Sequence, residues 1–109
     1  MICIPITAKS IENTISEMIS ASKYADIVEL RIDYIPELQN ALACIEKSLK
    51  SKTKPVIITN RPEREGGKFN GSEQDRLRLL QKAIDLGADY VDVEYDSIKQ
   101  ITRRNSSKI

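Results

Sequence analysis

The sequence predicts an α/β protein: four βα units with parallel strands, arranged as half of a (β/α)8 barrel. Three observations carry that prediction. Short β-branched runs alternate four times with segments of helical periodicity along the chain, and strands alternating with helices pair in parallel through right-handed crossovers. The segment 27–33 alternates oily Val28, Leu30 and Ile32 with ionic Glu29, Arg31 and Asp33, which gives a strand one apolar and one charged face. Inward charges are costly unless they meet each other or a polar ligand, and the carboxyl mouth of a barrel offers such a place. Finally, a complete barrel takes about 250 residues, whereas this chain has 109. An open doubly wound sheet, or a strand whose charged face is simply solvated, also fits the pattern.

The elements follow in order. Residues 2–7 form an apolar, β-branched first strand. Ser10 is a candidate N-cap, and Ile11, Ile15, Met18 and Ile19 fall on one helical stripe. Residues 26–33 form the second strand. Pro36 suits the first turn of a helix whose apolar face is Leu38, Leu42, Ile45 and Leu49. After a basic connector, 50–54, the third strand spans 55–60 with Val56, Ile57 and Ile58 at its centre. A loop from Arg61 to Gly71 leads to Ser72 and Asp75, a weak capping box, and a helix lined by Leu77, Leu80 and Ile84. Gly87 is a natural stop. The fourth strand, 89–95, sets Val91 and Val93 against Tyr90, Asp92 and Glu94. A less apolar helix is expected over 96–105, and 106–109 reads as the entry to a fifth strand. The expected organisation is thus one truncated barrel domain over 1–109.

Composition narrows the function. Apolar residues make up 40% and charged residues 30%, and 17 basic against 16 acidic residues leave a formal charge of +1. That balance gives no support for nucleic-acid binding. No apolar run reaches membrane-spanning length, and the first residues lack the pattern of a signal peptide, so a cytoplasmic location and no membrane partner are expected. Cys3 and Cys44 have no metal-ligand spacing and are expected as buried, reduced thiols. The chain contains no histidine, which removes the commonest general acid–base group.

The chemistry-bearing candidates cluster at the carboxyl ends of the strands, the functional edge of parallel α/β proteins. Arg61 opens the loop after the third strand and offers a forked donor to a carboxylate or hydroxyl pair. Gly66 and Gly67 permit a tight turn or a close approach, although the loop lacks Walker spacing and a mobile charged loop is the plain alternative. Asp92 and Glu94 are weighted as anchors for cations above proton-transfer groups. The lysines fall mostly on helices and connectors, where a solvated face is the default.

Five ordered motifs then make a resemblance: ICIPIT at 2–7, ADIVELRID at 25–33, PVIITNRP at 55–62, EGGKFNGSE at 65–73 and GADYVDVE at 87–94. Together they make the chain resemble the N-terminal half of type I 3-dehydroquinate dehydratase. The resemblance implies a TIM barrel, no metal, no organic cofactor, and dehydration of 3-dehydroquinate to 3-dehydroshikimate through a lysine Schiff base with a histidine moving protons. It implies that Glu29, Arg31 and Arg61 contact the substrate and that Glu65 supports the site. The implied lysine and histidine lie on later strands, after Ile109, so no catalytic residue is assigned within this chain. The expectation is a truncated lyase that binds but does not turn over. The alternatives are a non-catalytic half-barrel that self-associates, as a homodimer or otherwise, through its unpaired edges, and an unrelated open α/β domain.

Overall fold

The computed structural model describes residues 1–92; the expected helix over 96–105, the fifth-strand entry and Glu94 lie outside the described residues. Four strands, β1 (Cys3–Ile6), β2 (Ile27–Arg31), β3 (Val56–Thr59) and β4 (Tyr90–Asp92), alternate with three helices, α1 (Ile11–Ala21), α2 (Leu38–Ser51) and α3 (Glu73–Asp85). All neighbouring strands are parallel, in the spatial order β1-β2-β3-β4. Helix α1 packs on α2 and α2 on α3. A sheet laid down in strict sequence with its helices side by side is wound one way only. That is barrel winding, and it removes the open doubly wound alternative, in which strand order reverses.

The period-2 pattern settles which side the helices cover. Val28, Leu30, Val56, Ile58 and Val91 are buried, in one core with Met18, Ala41, Cys44, Ile45, Leu80, Ala83 and Ile84. Each fully buried aliphatic side chain contributes on the order of 1.5–3 kcal/mol. On the opposite, concave side Cys3 and Pro5 are exposed, and Ile27, Glu29, Arg31, Ile57 and Tyr90 are half-buried.

Several elements differ in detail from the sequence reading. The second strand ends at Arg31, and Ile32–Tyr34 form a 3-10 turn, so Asp33 does not continue the strand's ionic face. On α1 the buried positions are Thr14 and Met18, while Ile19 is 51% exposed. Thr14 can be buried because its hydroxyl donates to the Ser10 carbonyl at 2.8 Å, which removes the cost of an unpaired hydroxyl. Pro36 lies before α2, whose N-cap is Glu37. The face of α2 is centred on Ala41, Cys44, Ile45 and Ser48, with Leu38, Leu42 and Leu49 at its margin. Cys3 is exposed, not buried; Cys44 is buried, and both are free. The side chains of Ser10 and Ser72 cap α1 and α3, as their positions suggested, by accepting from the Asn13 and Asp75 amides.

Candidate active site at the carboxyl edge

Strand register assembles a polar layer. Arg31 of β2 stands beside Thr59 of β3, and Thr59 beside Asp92 of β4. One step deeper come Pro5, Glu29, Ile57 and Tyr90. Partners in parallel strands share a face, so Glu29, Arg31, Thr59 and Asp92 all belong to the concave side. Glu29 accepts a 2.7 Å bond from the Thr59 hydroxyl. Arg61 sits two residues after β3 and reaches Asp92 with a 2.9 Å ion pair, both side chains remaining accessible. Glu29, Arg31 and Arg61 are therefore brought to one concave rim through Thr59 and Asp92. The anchoring role favoured for Asp92 is the one its geometry displays.

Arg31 is held by two partners. Its Nε and Nη2 donate to the two oxygens of Asp33 at 3.0 and 2.8 Å, and its guanidinium carbon lies 5.2 Å from the centre of the Tyr34 ring. The Asp33 hydrogen bonds raise the guanidinium pKa further, against partial burial. The exposed Cys3 thiol is pushed up by desolvation and by the nearby Glu29 charge, so it is a poor nucleophile at neutral pH.

The loop after β3 is folded, not free. The Phe69 amide donates to the Arg61 carbonyl at 3.1 Å, the Glu63 amide to the Phe69 carbonyl at 3.2 Å, and the Gly67 amide to the Pro62 carbonyl at 2.9 Å. Gly66 adopts a left-handed φ of 82° after the 3-10 turn Glu63–Glu65. A Cβ on Gly67 would overlap the Arg61 carbonyl oxygen and come within 2.6 Å of the Arg61 Cβ, so only glycine fits beside Arg61. Glu65 lies exposed on that 3-10 turn, apart from the row formed by Arg31, Thr59 and Asp92.

Beneath the loop is a network that hydrophobic periodicity does not reveal. Arg76 of α3 is fully buried. It grips Glu73 through Nε and Nη2 at 3.0 and 2.6 Å and donates from Nη1 to the Asn60 carbonyl at 3.3 Å. Glu73 also accepts from Arg64 of the loop at 3.0 Å. The Arg76 hydrogen bonds hold the Glu73 carboxyl at about 2. The Ser72–Asp75 cap signal located the start of α3, but a charged side chain one turn further on reads as surface until the tertiary fold covers it.

A separate cavity of about 540 Å³ opens beside Asp33 between the loops after β1, β2 and β3, with Lys9, Tyr34, Pro36, Lys68 and Phe69 in its wall. Among the described residues no cluster of three or more His, Cys, Asp or Glu could hold a metal ion, no lysine lies in a strand, and no helix is long and apolar enough to cross a membrane.

A one-way βα sheet with Arg31 and Arg61, each ion-paired to a carboxylate, at its carboxyl edge defines part of a (β/α) barrel. Comparison with known proteins makes this specific. The model of the type I 3-dehydroquinase family matches residues 2–109, and the chain belongs to that family. It is 42% identical over 94 residues to the 3-dehydroquinate dehydratase of Methanocaldococcus jannaschii, covering 86% of this chain and 40% of that protein. It is 40% identical over 108 residues to the enzyme of Methanococcus vannielii, covering 96% and 47%. With the chloroplastic bifunctional 3-dehydroquinate dehydratase/shikimate dehydrogenase of Arabidopsis thaliana it shares 39% identity over 95 residues, 86% of this chain and 16% of that one. The dehydroquinate dehydratase and shikimate dehydrogenase of S. pombe superposes with a TM-score of 0.72 at 27% identity, covering 86% of this chain and 20% of that structure. The chain thus spans less than half the length of these relatives.

Proposed function

We propose that this chain carries the substrate-binding face of a hydro-lyase that converts 3-dehydroquinate to 3-dehydroshikimate and water, a step of the shikimate pathway. The observation that supports it best is the rim itself. Two guanidinium groups, each anchored by a carboxylate, stand on the concave side with Glu29 one layer below. Arginine forks match a planar carboxylate; the substrate is a carboxylate that also bears hydroxyls and a ketone. Arg31 and Arg61 are assigned to the substrate's anionic and hydroxyl groups and Glu29 to a hydroxyl proton. Glu65 supports the loop side of the site. Binding groups alone hold a pose; they do not supply the covalent intermediate that divides the reaction. The isolated chain is therefore expected to bind 3-dehydroquinate and to produce no enone absorbance.

The test is an NMR titration of the 109-residue chain with 3-dehydroquinate. Shifts concentrated at Glu29, Arg31, Thr59 and Arg61, and roughly tenfold weaker binding in R61A, support the reading; a charged hydrogen bond is worth about that much. Shifts confined to other surfaces would end it. Turnover with a borohydride-trappable lysine would overturn the binding-only assignment.

A second reading, self-association, is favoured by one observation. Strand β1 pairs on one side only among the described residues, and the concave face beside it carries exposed Cys3 and Pro5 and half-buried Ile27 and Ile57. Light scattering that finds a monomer at high concentration counts against it. The free Cys3 and Cys44 fit a reducing cytoplasmic setting, which cell fractionation would test.

A further inference from the structure

We infer that Asp33, with Tyr34 against the guanidinium, is the positioning residue that aims Arg31 at a planar carboxylate and fastens the β3–α3 loop over the same site. The inference rests on the reading of Arg31 as a substrate contact, given above. No motif pattern requires it; the 3-10 turn that lifts Asp33 off the strand creates it.

The donor geometry fixes the direction. Arginine presents five N–H bonds in a rigid planar fork. Asp33 takes the side-on edge, Nε and one proton of Nη2. The end-on edge, Nη1 and the other Nη2 proton, faces away from Asp33 and is the pair that a second carboxylate can bridge. The Tyr34 ring holds the plane of the fork. Without these partners Arg31 would be a long, flexible side chain that loses its rotamer freedom on meeting a ligand, a cost that preorganisation removes.

The same carboxylate reaches a second element. Its Oδ2, which already accepts from Arg31 Nη2, also accepts from the Lys68 backbone N–H at 3.1 Å. Lys68 lies in the loop that carries Arg61 and Glu65, and the next residue, Phe69, donates its amide to the Arg61 carbonyl at 3.1 Å. The Asp33 side chain has no solvent exposure, so water offers it no substitute for either partner. One buried carboxylate thereby couples the orientation of Arg31 on β2 to the closure of the loop that places Arg61.

The experiment compares the 109-residue chain with D33N and R31K, using Arg Nε–H resonances, amide hydrogen exchange and titration with 3-dehydroquinate and with quinate, which keeps the carboxylate but lacks the ketone. In D33N the Arg31 Nε–H signal is expected to move and to exchange faster. Lys68 amide protection is expected to fall together with that of Phe69, and both ligands to bind roughly tenfold more weakly or worse. In R31K binding falls but the Lys68 amide stays protected, because the Asp33 carboxylate remains. Should D33N fail to fold, the unmodified chain decides: slow exchange at both Arg31 Nε–H and Lys68 N–H supports the coupling, and fast exchange at either overturns it. Unchanged Arg31 and Lys68 signals in D33N also overturn it, as does a loop loosened equally in R31K. If neither ligand binds the unmodified chain while the Arg31 and Lys68 signals respond as stated, the assigned substrate fails and the Asp33 coupling stands.

Discussion

Replacing Glu73 with glutamine is expected to destabilise the protein more than replacing Arg76 with methionine, although both break the same ion pair. Burial explains the asymmetry. The Arg76 side chain is 1% exposed and Glu73 is 40% exposed. E73Q keeps the shape of the side chain but takes away the carboxylate charge that the buried Arg76 grips through Nε and Nη2. Stripping a buried charge of its partner costs about 3–5 kcal/mol; because solvent screens the exposed carboxylate, about 2–3 kcal/mol is the expected loss here. R76M removes the buried charge itself, fills similar volume and leaves Glu73 to water and Arg64, so its cost is expected within about 1.5 kcal/mol. The pH dependence has a definite sign. Glu73 titrates at about 2 in the folded chain against an ordinary 4.5. A depressed carboxylate pKa contributes stability that is complete above 4.5 and is lost as pH falls through about 2. Urea midpoints of the three proteins at pH 7, 4.5 and 2.5 are the assay, with the E73Q deficit shrinking toward the acid end. A methionine variant as unstable as E73Q at pH 7, or an E73Q deficit that grows in acid, would refute the reasoning.

Other changes test the remaining assignments. G67A is expected to disturb more than G66A: a methyl at 67 meets the Arg61 carbonyl, whereas at 66 the space is open and only a left-handed backbone is strained, by about 1–2 kcal/mol. Chemical denaturation ranks the two, and Arg61 shifts appear in G67A. I58A is expected to cost about 2–5 kcal/mol as a core truncation, and I57A, its half-buried neighbour on the concave side, within about 1.5 kcal/mol; equal losses by thermal melting would contradict the assigned faces. Neutralising Asp89 with D89N is expected to lower stability at neutral pH. Partial burial opposes its charge, but bonds from Lys52 and the Val56 amide outweigh that and hold its pKa down. Its contribution is therefore present above the ordinary carboxylate range and fades below it; denaturation at pH 7 and pH 3 checks the difference.

How much of this was legible beforehand depends on the range of the physics involved. Strand alternation, cap residues and helical stripes are local, and from them the four parallel strands, the three described helices and the polarity of Glu29 and Arg31 could be read in order. The motif string identified the family and placed Arg61 at the carboxyl edge. Three matters stayed hidden. Asp33 looked like the last residue of an ionic strand face, and became a buried clamp because the chain turns at Ile32. Arg76 carries no local signal of burial, and its full burial comes from the fold around it. Ile19, expected on the buried stripe of α1, is exposed, and Thr14 is buried instead, because its hydroxyl bond to the Ser10 carbonyl makes threonine buriable. Local periodicity fixes which face of an element is apolar, since it depends only on the chain's own geometry. Which charges are desolvated, and by whom they are held, depends on contacts between residues far apart in sequence, and only the assembled fold decides those.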